Sequence, residues 1–328
     1  MRAFEFTSPI TKEQIPTLLG KNWGDTEILA GGTDLLSLMK DEVTTPKRLV
    51  NIKGIQELRS VMPAPDGGLR IGALMTLAEL SEHQGLRQSY PALAQAIGDA
   101  ASPQIRNLAT LGGNLCQRPR CWYFRTGHGL LGQQADGKSL VLNGDNRYHA
   151  ILGNEGPAYF VSPSTVAPVL IAYQAKVRIL GPKGVRELPL ERFFTIPKTA
   201  TQREHDLKPD EVVIEIILPH GAAIKAAQYE VRQKEAFDWP YVTAAVALGL
   251  SGGQAQNPRV VLGHVAPIPW VSLPAAKVLA GKPVSHETAD QAAKAAVTGA
   301  KSLGHNSHKI HLAQVAVKRA ILKAGGVA

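Results

Sequence analysis

The chain has little cysteine. Two in 328 residues, Cys116 and Cys121, cannot build a disulfide framework, and such sparing use points to a reducing compartment. It also lacks any apolar run approaching the ~18 to 20 residues needed to cross a bilayer. Its start, MRAFEFTSPITKEQ, has neither the basic stretch nor the apolar core of a signal peptide, so a cytoplasmic location is expected. Hydrolytic signatures are missing as well. There is no nucleophile elbow, no setting for paired catalytic carboxylates, and no His-Glu-x-x-His among the ten histidines. A concentrated basic stretch is absent too: the net charge of +9 is scattered, with Arg118, Arg120 and Arg125 as its densest group. That pattern suits a partner surface or an anionic ligand better than nucleic acid.

What is present is ordinary globular material, 44% hydrophobic and 19% charged, long enough for two or three packed domains. Two glycine loops stand out, Ala30-Gly31-Gly32-Thr33-Asp34 and Thr110-Leu111-Gly112-Gly113-Asn114, about eighty positions apart. Each reads as following a β-type run and ending in a small polar residue. Paired glycines lack the Cβ shield and tolerate positive φ, so consecutive N–H groups can turn inward around anionic oxygens. Thr33 and Thr110 add hydroxyl donors. Either loop alone is most simply a tight turn; the pair points to a diphosphate. Neither contains Gly-x-Gly-x-x-Gly, which argues against a Rossmann dehydrogenase.

Residues 1–53 read as a small α/β unit, with a capping-box helix start at Thr11 to Gln14 and strands at Glu27 to Ala30 and Arg48 to Ile52. Residues 54–220 continue with a strand at Leu69 to Ala73, helical text from Leu77 to about Ala101, and a sheet region expected to open at the second loop. Residues 116–157 break any clean period and read as an ordered insertion. Regular text returns at Ala158 to Val161, then a helix near Thr165 to Tyr173, a hairpin of Ala175 to Leu180 with Val185 to Leu188, and a strand at Glu211 to Leu218. A boundary near residue 221 precedes strands at Ala226 to Arg232, Val242 to Leu250 and Arg259 to Val265, and helices at Ser285 to Leu303 and Lys309 to Ala324.

The runs ILAGGTDLLSLM (28–39), SPQIRNLATLGGN (102–114) and GHVAPIPW (263–270) resemble the FAD-binding, or medium, subunits of molybdenum hydroxylases of the xanthine, aldehyde and carbon monoxide dehydrogenase type. The resemblance spans nearly the whole chain. It implies an α+β protein with a non-Rossmann, two-subdomain FAD-binding fold of the PCMH type over 1–220 and a C-terminal sheet-and-helix domain over 221–328. It also implies that Ala30, Gly31, Gly32, Thr33, Asp34 and Leu35 hold one end of the FAD diphosphate, and Thr110, Gly112, Gly113 and Asn114 the other. The implied partners are a large molybdopterin-binding subunit and a small [2Fe-2S] subunit, with FAD passing electrons to an external acceptor. Some such assemblies are exported on a partner's signal, which makes the periplasm the alternative location.

Gln117-Arg118-Pro119-Arg120-Cys121-Trp122-Tyr123-Phe124 is similar to the subgroup whose insertion holds an extra [4Fe-4S] cluster on four cysteines. That similarity favours an aldehyde substrate slightly. Here only Cys121 and Cys116, the latter outside the usual pattern, are present and cannot supply four thiolates, so no metal is expected; a Cys/His set completed by His128 and His149 is the competing reading, against a former cluster loop packed by Trp122, Tyr123 and His149. Thr165 stands where many members place a flavin-contacting aspartate, and Glu230 where a lysine is common, with Arg232 and Lys234 nearby. Phe237-Asp238-Trp239-Pro240 reads as a packed turn or as a wall beside the flavin. His305, His308 and His311 read as solvated residues around the last helix rather than a metal tract. Two rival readings stay open: a stand-alone FAD oxidoreductase, and a flavin-free scaffold subunit.

Overall fold

The computed structural model describes residues 1–234 and 238–327. Three sheets organise them. The first is parallel, in the order β1 (Glu5–Thr7), β3 (Arg48–Asn51), β2 (Thr26–Leu29). Residues beyond it build an antiparallel sheet from β4 (Val61–Pro63), β5 (Leu69–Gly72), β6 (Lys176–Gly181), β7 (Gly184–Pro189) and β8 (Val212–Leu218), in the order β4-β5-β8-β6-β7. The third is also antiparallel, ordered β12-β11-β10-β9 from β9 (Lys225–Val231), β10 (Val242–Ser251), β11 (Gln254–Gly263) and β12 (Trp270–Val271).

Period-two alternation along β10 decides what this third sheet packs against. Val242, Ala244, Val246 and Leu248 face the last two long helices, His286–Ala296 and His308–Gly325, whose alanine stripes let helix and sheet approach closely. Ala245 and Ala247 on the opposite face join the core around the helices Pro91–Asp99 and Ala167–Ala172. One strand thus joins two cores, tying the C-terminal sheet to the preceding part of the chain.

Several local expectations change. Thr11 makes no side-chain cap; Gln14 Oε1 instead accepts from the Ile10 N–H at 2.9 Å, and the helix at Ile15–Leu18 is a single turn. The second glycine loop follows the short helix Pro103–Arg106 rather than a strand, and opens the helix Leu111–Cys116 rather than a sheet, because Thr110 caps it by accepting from Gly113 N at 3.2 Å. Ala158 to Val161 is irregular, held by single bonds such as Ala150 N to Tyr159 O, and the helix begun after Ser285 ends at Ala296. An unexpected helix, Leu273–Leu279, is capped by the Ser272 hydroxyl.

The insertion is fastened to the C-terminal part by side chains that bond its carbonyls. Asn306 Nδ2 donates to the carbonyls of His149 and Ala150, both at 3.1 Å, and Asn154 Nδ2 donates to Ala150 and Lys301. Lys309, fully buried, donates to the carbonyls of Tyr148, His149 and His264 at 2.9, 2.9 and 2.7 Å. Burial alone pushes this lysine down to about 7, while its three N–H bonds match an ammonium group's three donors. Lys309→Met removes the buried charge but strands three carbonyls, so a net destabilisation of about 2 kcal/mol is expected; a urea midpoint unchanged from wild type would contradict this role.

Candidate cofactor site

The two glycine loops come together because the first needs no Cβ. At Gly31 a Cβ would lie 2.0 Å from the Leu108 carbonyl oxygen, just before the second loop, and at Gly112 it would lie 2.9 Å from Ala73 Cβ. Gly32 adopts φ +76, a conformation that side-chain-bearing residues disfavour. The loops are not equivalent donors, however. Among the described residues the amides of Gly31, Gly32, Thr33, Asp34 and Leu35 meet no protein acceptor, leaving five consecutive N–H groups free. In the second loop the amides are already taken: Leu111 by Met75 O, Gly112 by Ala73 O, Gly113 by Thr110 Oγ1 and Asn114 by Thr110 O. The expected ring of free amides therefore exists in the first loop only, and the second brings the Thr110 hydroxyl and close backbone approach.

Two cavities flank the loops and share Thr33, Asp34, Gly113 and Gln117. The first, about 180 Å³, is bordered by Ala30, Gly31, Gly32, Leu35, Thr110 and Gly112. Elsewhere in its lining the Arg203 guanidinium lies 4.5 Å from the Trp23 ring centre and 3.3 Å from Glu27 Oε1. Burial raises Glu27 to about 7, opposed by Arg118 and reinforced by Glu204. His205, also there, is pushed down by burial. The second cavity, about 360 Å³, is bordered by Asn114, Thr165, Arg120, Arg232 and Trp239. All eleven sequence-derived site residues thus line one or both cavities. Trp23, Glu27, Arg203 and His205 were not foreseen, since no local motif marks residues brought together from so far apart in the chain.

The arginine group has a specific task. Asp34 Oδ1 pairs with Arg120 at 3.0 Å and Arg125 at 2.7 Å, and its Oδ2 accepts from Arg118 N at 2.8 Å. Arg118 continues to the buried Glu204 at 2.5 Å. The insertion is thereby locked onto the first loop, and a net positive field is kept beside the free amides. Asp34→Asn is expected to lower stability by about 1.5 kcal/mol through loss of charge-assisted bonds, and to increase protease cleavage within 116–157; unchanged cleavage would argue against the lock.

Further departures from the sequence reading also resolve. Asn114 Oδ1 is fixed by the Ser164 hydroxyl at 2.7 Å, and Thr165 is buried beside it. Glu230 turns its carboxylate to Arg232 and Gln228, and it is Arg232 that borders the cavity. Trp239 lies under the Arg120 guanidinium at 4.6 Å, while Phe237 falls outside the described residues. In the insertion, Cys121 Sγ is 3.2 Å from His149 Nε2, and His149 packs against Trp122 and Tyr123. No group of three or more His, Cys, Asp or Glu side chains with metal-holding geometry occurs among the described residues. His308 packs edge-on against Tyr241 at 5.2 Å, and the His305 N–H donates to Asn146. No helix is long and apolar enough to cross a membrane among the described residues.

Comparison with known proteins gives this arrangement a family. Residues 2–221 match the family described as FAD binding domain in molybdopterin dehydrogenase, and residues 227–324 match the CO dehydrogenase flavoprotein C-terminal domain. The aldehyde oxidoreductase FAD-binding subunit PaoB of Escherichia coli (strain K12) is 34% identical over 246 residues, 74% of this chain and 76% of that one. The carbon monoxide dehydrogenase medium chain of Hydrogenophaga pseudoflava is 28% identical over 322 residues, 97% of this chain and 96% of that one. A solved structure of carbon monoxide dehydrogenase from the same organism superposes with a TM-score of 0.78 at 27% identity, covering 100% of this chain and 99% of its counterpart. The chain belongs to the FAD-binding subunits of the molybdenum hydroxylases, an oxidoreductase family, and its cofactor is FAD.

Proposed function

We propose that this subunit takes electrons from a [2Fe-2S] partner and passes them through FAD to an external acceptor, within an assembly whose large partner carries the molybdopterin centre. The observation that carries this reading is the pair of apposed glycine loops with five free amides on one of them. They suit a diphosphate: the Gly31 to Leu35 amides and the Thr33 hydroxyl would bind one phosphate, and Thr110, Gly112, Gly113 and Asn114 would border the other. The two flanking cavities suit the two halves of a dinucleotide. We place the flavin ring in the larger one, beside Thr165, Asn114 and Arg232, and the adenosine toward Trp23 and Arg203.

The flavin, when bound, supplies the redox chemistry. The chain's own residues orient it and shield it. Arg118, Arg120 and Arg125, held by Asp34 and Glu204, offset the diphosphate charge, and the buried Thr165 offers the ring edge a hydroxyl without a charge. The division into 1–220, with subdomains 1–53 and 54–220, and 221–328 belongs to the same proposal, supported by the separate sheets β1–β3 and β9–β12. An aldehyde is the favoured substrate class, on the likeness to the aldehyde oxidoreductase subunit and on the Gln117 to Phe124 stretch. The absorption spectrum of the purified chain, with released chromophore identified and iron assayed on the same sample, tests the reading. Flavin bands with FAD and no iron are expected; a colourless chain that refuses added FAD would overturn it.

A further inference from the structure

A third cavity lies between the insertion and the C-terminal sheet and touches neither glycine loop. It encloses about 170 Å³, comparable to an engineered apolar cavity of about 150 Å³ that accepts one benzene ring. Trp122, Tyr148, Phe160 and Trp239 wall it. Yet three polar atoms of its lining residues, Arg120 Nε, His149 Nδ1 and His264 Nε2, are buried with no hydrogen-bond partner. His264 is 2% exposed, and its other ring nitrogen sits 3.4 Å from Thr243 Oγ1. Orphaned buried polar atoms are rare in native proteins and call for a ligand or an ordered water. Four aromatic walls favour a ring over a water cluster, and Arg120 can only donate, so the occupant must present an acceptor.

We propose that this cavity binds a single six-membered ring bearing a carbonyl oxygen, of the benzoquinone class, as the seat of the external electron acceptor. Pro163, Asp238, Trp239 and Pro240, together with Arg120, border both this cavity and the Thr165 cavity, so the ring sits one wall away from where the flavin is placed. One benzoquinone leaves as hydroquinone after taking up two electrons and two protons, the same number released when a fully reduced flavin is reoxidised. As an acceptor seat the site rests on the flavin reading above; as a ring site it does not.

The test uses the full chain with acetophenone, a redox-inert single-ring carbonyl, titrated by tryptophan fluorescence and by saturation-transfer NMR. Val161 borders only this one of the three cavities, so Val161→Phe fills it and Val161→Ala enlarges it. Saturable binding is expected in wild type and Val161→Ala, at least tenfold weaker in Val161→Phe, with the flavin spectrum and melting temperature unchanged. In the assembled enzyme KM for 1,4-benzoquinone should rise by a similar factor in Val161→Phe while turnover with ferricyanide stays constant. No saturable binding in wild type, or equal binding in Val161→Phe, overturns the site. Binding lost with KM for benzoquinone unchanged overturns the acceptor role. Ring binding that depends on Val161 in a chain unable to take up FAD supports the ring site while overturning the flavin reading, which keeps the two failures apart.

Discussion

Gly113→Leu is expected to abolish flavin retention while leaving the fold intact, whereas Gly31→Ala is expected to damage both. The difference lies in what each missing Cβ would meet. At Gly113 it is only the Thr110 hydroxyl at 2.9 Å, the end of a side chain that can turn aside. Losing that cap costs about 1 kcal/mol, and replacing a helical glycine returns about 0.5 to 1 kcal/mol, so the two nearly offset. The leucine side chain, however, would enter space bordered by both cavities flanking the loops. A fall in FAD affinity of more than 100-fold, about 2.7 kcal/mol or greater, is the expected result. At Gly31 the obstacle is the Leu108 backbone, with the carbonyl carbon at 2.8 Å behind its oxygen, and neither loop can yield without moving the other. Overpacking of this kind costs about 1 to 3 kcal/mol, so Gly31→Ala should melt earlier as well as lose flavin. The ratio of flavin to protein absorbance after gel filtration, with a thermal melt of each variant, separates the cases. Full FAD occupancy in Gly113→Leu would overturn the placement of the diphosphate.

The glycine loops were legible because their requirement is local: a glycine pair reads the same wherever the chain folds. Strand text was legible for a similar reason. The β-branched run 212–218 forms β8 at the centre of its sheet, and the hairpin β6–β7 closes at Gly181 and Gly184 as its turn residues dictate. The non-local features were not legible. Nothing near Asp34 announces three arginines more than eighty residues downstream, so the densest basic group in the sequence is visible as a cluster but not as the clamp on Asp34. Nor does a pattern distinguish the two loops as donors, because the amides of Gly112 and Leu111 are consumed by Ala73 and Met75 from another element. The helix at Leu273–Leu279 carried a visible signal in Ser272 followed by Leu273 and Pro274, a cap with proline in the first turn. The insertion's order comes from Asn306 and Lys309, whose side chains bond carbonyls about 160 positions away and leave no periodic trace.

Acidification from pH 6.5 to 4 is expected to cost this subunit on the order of 3 kcal/mol of stability, beyond what surface carboxylates contribute. The source is the pair of imidazoles enclosed between the insertion and the C-terminal sheet. Burial, and then the Lys309 charge, lower His149 to about 4 and His264 to about 3 from the usual 6.5; Asp145 opposes this for His149, and Arg232 adds to it for His264. In that window the unfolded chain binds protons that the folded chain refuses, so stability is present above pH 6.5 and drains as pH falls toward the folded values. Glu27 works the other way. Raised by burial to about 7 from 4.5, it holds a proton in the folded state that the unfolded chain releases, so its contribution grows as pH falls through the same range and cancels part of the loss. His205, lowered by burial, adds to the two imidazoles and Glu230, raised by burial, to Glu27, so three imidazoles against two carboxyls leave the net slope positive with pH. Urea midpoints measured at half-unit steps on wild type, His149→Gln and Glu27→Gln separate the contributions. His149→Gln should flatten the profile between pH 6.5 and 4, and Glu27→Gln should steepen it. A wild-type midpoint constant across this range would mean that the imidazoles gain protons without unfolding, through water reaching His149 and His264 in the folded chain.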